Sequence, residues 1–357
     1  MGRPVDTIET HELRLGLSHR LHGLILVADR ESNGRLVEEA PTELKRSLAV
    51  ANVKSKDNYD RALSTIRILR ANFEREDLPL RIVKGAAVAT LLYPVPWARP
   101  FEDVDVVLDP IIDRRLDRVL RRLGMATGRI DAIRRLQGRR RPLHEFTPPA
   151  GDLGIDIHFN PFGLLDRVRN PQLLLSAFEQ INAGPLTQVF VPAPALATVI
   201  SALNLARKGG DSLFHAADLA RMFRTDRVDW KLVDAIGTAE GVGHVVDSVV
   251  EAVVQDLDLD RPRPDRTPVT RPWWAPNLGE IGVGHSLLRR GPVVTLRRPM
   301  THLPAALRAF ASWYMPGPTL LDARGVPAGS YPLRLVRFSR NHLADTIADR
   351  VTIRAMV

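Results

Sequence analysis

Residues 81–108 read RIVKGAAVATLLYPVPWARPFEDVDVVL, and this stretch decides the fold. A short β-like run switches at Lys84-Gly85 to an Ala-rich helical segment. PVPWARP, with prolines at 94, 96 and 100, then makes a rigid loop. EDVDVVLD alternates acid with valine and predicts a strand. Residues two apart on a strand share a face, so Asp103 and Asp105 point together while Val104 and Val106 point toward the core. Two carboxylates held close repel, which costs stability unless a cation or a shared proton compensates. A divalent ion is the simplest compensation, and Mg²⁺ favours a few carboxylates plus phosphate oxygens.

A third acid, Asp156, lies on a separate strand predicted at 155–158, otherwise apolar until His158. If these strands are neighbours, three carboxylates converge at one end of a sheet. An isolated acid-x-acid pair on an edge strand is ordinarily solvated charge; here KGAA stands just upstream, at a strand-to-helix turn. Such a turn directs free backbone N–H groups and a positive helix end at a phosphate, with Gly85 allowing close approach. Lys84 would add a point charge there.

Working outward, the region before residue 75 places apolar residues at helical spacing among charges. Asn58-Tyr59-Asp60 falls inside a long helix or caps its second half. From Pro110 to Gly124 an amphipathic helix is expected, with Leu116, Val119, Leu120 and Leu123 inward. The segment 137–161 reads as two strands joined by a Pro/Gly turn. After Pro161 the texture is helical again, and from about residue 259 it turns Pro-rich and charged before a last amphipathic segment and a basic tail. Four regions are expected: a helical one over 1–75, an α/β unit over 76–162, a helical one over 163–258, and a Pro-rich extension over 259–357.

The composition, 45% hydrophobic and 25% charged, is that of an ordinary folded chain. No apolar run approaches the roughly 18 residues of a spanning helix. The start lacks the apolar core of a secretory signal, so cytoplasm is the expected compartment. Cysteine is absent, which excludes disulfides and thiolate metal sites. The formal net charge of +9 favours anionic partners such as nucleotides or nucleic acid. The densest basic run, RRLQGRRR at 134–141, reads either as a nucleic-acid backbone track or as a solvated loop.

Taken together, KGAA, Tyr93-Pro94, Arg99-Pro100, DVD at 103–105 and DIHF at 156–159 resemble the nucleotidyltransferase-like proteins of the DNA polymerase β superfamily. Within it the pattern is similar to a bacterial and phage branch, and LNLARKGG, HAADLARMF and VDW resemble that branch's middle helices. The resemblance implies an α+β fold: a mixed nucleotidyltransferase sheet with flanking helical domains. It implies an enzyme that transfers NMP from an NTP to a hydroxyl acceptor with Mg²⁺ or Mn²⁺, by a two-metal mechanism. By position, Asp103 and Asp105 would bind both ions, and Asp156 would bind one and help activate the acceptor hydroxyl.

The same resemblance puts the phosphate-holding turn on Gly85 and Ala86. The superfamily often has Ser or Thr there; Ala86-Ala87 lack that hydroxyl, leaving backbone N–H groups to hold the phosphates. Lys208 and Asp218 match positions that face the nucleotide, although Asp218 reads equally as a salt bridge within the helical bundle. Arg99 would reach a phosphate or lie in a surface loop. His158 would orient Asp156, contact substrate, or simply pack. The acceptor would be RNA, such as a tRNA end, a small molecule or a protein side chain. A non-catalytic nucleotide- or nucleic-acid-binding module is the alternative.

Overall fold

The computed structural model describes residues 9–18, 20–109, 113–127, 130–131, 145–146, 153–162, 168–182, 184–207, 213–260 and 262–263. Among these, three helices come first: α1 (Thr10–Ser18), α2 (His22–Glu31) and α3 (Thr42–Glu74). The central segment follows with β1 (Arg81–Val83), α4 (Lys84–Leu92), β2 (Asp103–Val107), α5 (Arg114–Arg122), β3 (Glu145–Phe146) and β4 (Gly154–His158). Then come α6 (Pro171–Ser176), β5 (Phe178–Gln180) and β6 (Phe190–Pro192). Four further helices are α7 (Pro194–Arg207), α8 (Leu213–Phe223), α9 (Trp230–Glu240) and α10 (Gly243–Asp256). Lys208, the basic run at 134–141 and the segment from residue 264 onward lie outside the described residues.

Among the described residues the strands form one six-stranded sheet in the order β3-β4-β2-β1-β6-β5. It is mixed: β2 runs parallel to β4 and β1 to β6, while β1–β2, β3–β4 and β5–β6 are antiparallel. With helices on its flanks, this is the expected α+β class. Two of its strands come from beyond residue 162, where a helical texture was expected. Each is three residues long, too short for alternation to register in the sequence.

The period of two divides the sheet into two working faces. On one, Ile82, Val104, Val106, Ile155 and Ile157 share a core with Ile66, Leu69 and Phe73 of α3 and Leu116, Val119 and Leu120 of α5. Fully burying one such side chain is worth about 1.5–3 kcal/mol, so this face anchors the sheet. On the other, Val83 and Val107 join a second core built from α7, α8, α9 and α10, including Leu196, Ile200, Leu219 and Val249. Asp103, Asp105, Asp156 and His158 alternate with the first set, so they belong to this second face. Helix α5 starts later than the sequence pattern suggested. Asp113 caps it by accepting a 2.8 Å hydrogen bond from the Leu116 amide, and Gly124 ends it at φ +81°.

Helix α3 is continuous through Asn58 and Tyr59, and these residues turn inward to hold the proline loop. Asn58 Nδ2 donates to the Phe101 carbonyl at 3.1 Å, and Tyr59 meets the Phe101 ring edge-on. From the other side, α2 presses Gly23 against Ala98, where a Cβ would lie 2.4 Å from the Ala98 backbone. His22 fixes α2 to α3 through a 2.8 Å contact between Nε2 and Ser55 Oγ. Burial, reinforced by the Arg20 charge, lowers the His22 pKa to about 4. The neutral ring is therefore the folded form. Its contribution is complete above the unfolded pKa of about 6.5 and is lost as pH falls toward 4, by up to about 3 kcal/mol. Urea melts between pH 7 and 4 should show this slope, and His22→Gln should flatten it.

Candidate active site

The site is built where β1 ends. Val83 pairs with Asp105 across the antiparallel ladder, and α4 starts at the very next residue. Lys84 makes that abrupt turn at φ +55°, a left-handed conformation uncommon for a residue with a side chain. The N-cap residue Val83 makes no side-chain capping hydrogen bond, and the first-turn N–H groups carry the helix's positive end.

On the neighbouring strand, the parallel register places Asp105 directly opposite Asp156, Val107 opposite His158, and Asp103 opposite Gly154. The side chains of Asp105, Asp156 and His158 bring one ligand atom each to within 4.8 Å of one another. Asp105 is 4% exposed and His158 3% exposed, while Asp156 is half-buried. This group overlaps only partly with the three acids expected from sequence. Asp103 falls outside it. His158 falls inside it, because the imidazole is long enough to reach back, and its Nε2 lies 2.6 Å from Asp105 Oδ1.

The sequence reading takes a divalent ion as the simplest offset for the paired acids and assigns Lys84 to a phosphate. In the structure Lys84 itself meets an acid: its ammonium lies 2.6 Å from Asp105 Oδ1 and 3.1 Å from His158 Nε2. Burial pushes the Asp105 carboxyl up, but the Lys84 charge and the His158 contact outweigh it and hold the carboxyl well below the usual range. Asp105 is thus a buried anion at neutral pH.

Arg99 and Asp218, which the resemblance puts near the nucleotide, bind each other, so the salt bridge expected as the alternative for Asp218 is present. Arg99 Nη2 donates to Asp218 Oδ2 at 2.8 Å, with Nε also within reach of the carboxylate, and Tyr93 Oη donates to Asp218 Oδ1 at 2.7 Å. Arg99 is 4% exposed and Asp218 fully buried, so the reading of Arg99 as a surface-loop residue is corrected. Burial opposes the Asp218 charge, yet Arg99 and then His215 keep its pKa lowered. Burial and the adjacent Asp218 raise the Tyr93 pKa, so the phenol stays a donor. Arg99 also packs over Phe214, and Arg221 over Tyr93. This cluster fastens α8 to the loop between α4 and β2, and that loop leads directly into the acid strand.

Gly85 connects the two clusters. A Cβ there would lie 2.6 Å from Phe101 Cβ and 3.1 Å from Arg99 Nη1. The close approach that requires glycine is therefore to Phe101 and Arg99. Gly85→Ala should cost about 1–3 kcal/mol by overpacking, read as a lower denaturation midpoint. Ala86 is also buried, with its side chain in the core beneath the sheet's first face.

The chemistry of the donor set fits a divalent cation. Two carboxylates suit Mg²⁺ or Mn²⁺, and the imidazole adds a nitrogen ligand that Mn²⁺ tolerates more readily. Sequence reasoning noted His158 but gave it only a supporting position; its place on the Asp156 strand face was the signal. No helix among the described residues is long and apolar enough to cross a membrane.

A family model described as uncharacterised nucleotidyltransferase matches residues 10–253. The match takes in the first three helices, the sheet and the helices that pack on its second face. No curated protein and no solved structure matches the chain significantly.

Proposed function

The chain belongs to the uncharacterised nucleotidyltransferase family, and from that premise we propose that it transfers NMP from an NTP to a hydroxyl-bearing acceptor. The observation that carries this reading is the register pair Asp105–Asp156, joined by His158 beside the start of α4. A divalent cation held by these residues would supply phosphate charge neutralisation and a lowered pKa for a bound hydroxyl.

The chain's own residues divide the remaining work. Asp156, the less buried acid, accepts the proton of the acceptor hydroxyl as that oxygen attacks the α-phosphorus and the bond to pyrophosphate breaks. Asp103, on the same face two residues before Asp105, would share a second cation with the phosphates. The Gly85 and Ala86 N–H groups and the Lys84 ammonium meet the phosphate charge. Arg99 and Asp218 act from behind, by fixing the loop that carries β2. The net charge of +9 favours an anionic acceptor, and RNA such as a tRNA end fits best.

The second reading, a non-catalytic binding module, draws support from the Lys84–Asp105 ion pair and from Ala86-Ala87, which offer no hydroxyl to a phosphate. Incubation with each α-labelled NTP and Mg²⁺ or Mn²⁺, with and without total RNA, separates the two. Label that moves into RNA supports transfer to a nucleic-acid acceptor. Nucleotide binding with no product under any condition favours the module.

A further inference from the structure

The Lys84 ammonium sits on two of the three side chains that make the candidate metal site. It lies 2.6 Å from Asp105 Oδ1 and 3.1 Å from His158 Nε2, and those two atoms are themselves 2.6 Å apart. The lysine side chain is only 16% exposed and Asp105's 6% exposed, so little water screens the pair. Its backbone is held at φ +55°, a conformation that persists in a non-glycine residue when its surroundings over-determine it. A divalent cation on Asp105 would lie within a few ångströms of this ammonium, and two cations at that separation in a buried site repel strongly.

We propose that Lys84 is an internal counter-cation that guards the metal site. Without nucleotide it neutralises Asp105 and disfavours a divalent ion there. Nucleotide phosphates offer the ammonium a second anionic partner, and when Lys84 turns to them Asp105 and His158 become available as ligands. NTP and metal then bind with positive coupling, each raising the affinity of the other by the same factor. This inference rests on the reading of Asp105, Asp156 and His158 as a metal site.

The test is Mn²⁺ binding followed by the electron paramagnetic resonance signal of the free ion, with and without an α,β-imido NTP analogue. Wild type should bind Mn²⁺ weakly alone and about 10-fold or more tightly with the analogue. Lys84→Met should bind Mn²⁺ about 10-fold more tightly than wild type in the absence of nucleotide, and the coupling should shrink. Lys84→Gly accepts the left-handed backbone, so it decides the matter if the Met variant does not fold. Folded Lys84 variants that bind Mn²⁺ no more tightly than wild type overturn the counter-cation. In that case the metal site itself stands, provided wild type binds Mn²⁺ and Asp156→Asn does not. If wild type and the Lys84 variants all fail to bind Mn²⁺, both readings fall.

Discussion

Asp105→Asn is expected to cut turnover by at least about 1000-fold, or roughly 4 kcal/mol of transition-state stabilisation. Asn keeps the shape of the side chain and can still meet Lys84 and His158, so what it removes is the negative charge. That charge also stabilises the fold. The Asp105 pKa is depressed in the folded state, so its contribution is present above the unfolded value of about 3.9 and disappears as pH falls below it. At neutral pH the substitution also leaves the Lys84 ammonium buried without its counter-charge, a loss of about 3 kcal/mol. Activity should therefore be normalised to the folded fraction by circular dichroism. Full turnover by the folded Asn variant would mean that the acid plays no part in the chemistry.

The largest effect on stability is expected at Arg99–Asp218. Both side chains are almost wholly buried, so removing either strands a charge in the core. Arg99→Met and Asp218→Leu should each cost about 3–5 kcal/mol, whereas the double variant should recover a large part of that loss. Urea denaturation of the four proteins gives the coupling directly. Asp218 has a lowered pKa, so its contribution holds above the unfolded carboxylate value and is lost on acidification. Two single-site losses that simply add would show that the pair is not the joint between α8 and the loop.

The strand and helix of residues 81–92 and the acid strand were legible because local chemistry writes them plainly: a short apolar run, an alanine tract, then valines alternating with aspartates. Adjacency of the two acid strands was conditional in the sequence, because pairing is a long-range choice; the register Asp105–Asp156 fixes it. The pairing of Lys84 with Asp105 was not legible. It depends on a left-handed lysine at the turn and on the antiparallel step that brings Val83 opposite Asp105. Arg99 and Asp218 were both singled out, yet 119 residues separate them, and no spacing rule joins side chains so far apart. Gly85 reads in the sequence as letting a phosphate approach, whereas the neighbours its missing side chain makes room for are Phe101 and Arg99. Strands β5 and β6 were missed because three residues cannot display a period.

The most direct measurement is pyrophosphate release from NTP in the presence of total RNA, for wild type and Asp156→Asn, with Mn²⁺ and with chelator. Nucleotidyl transfer at this site predicts release by wild type with Mn²⁺, and none with chelator or with the Asn variant. Release that continues undiminished in folded Asp156→Asn, or that ignores the chelator, would contradict it.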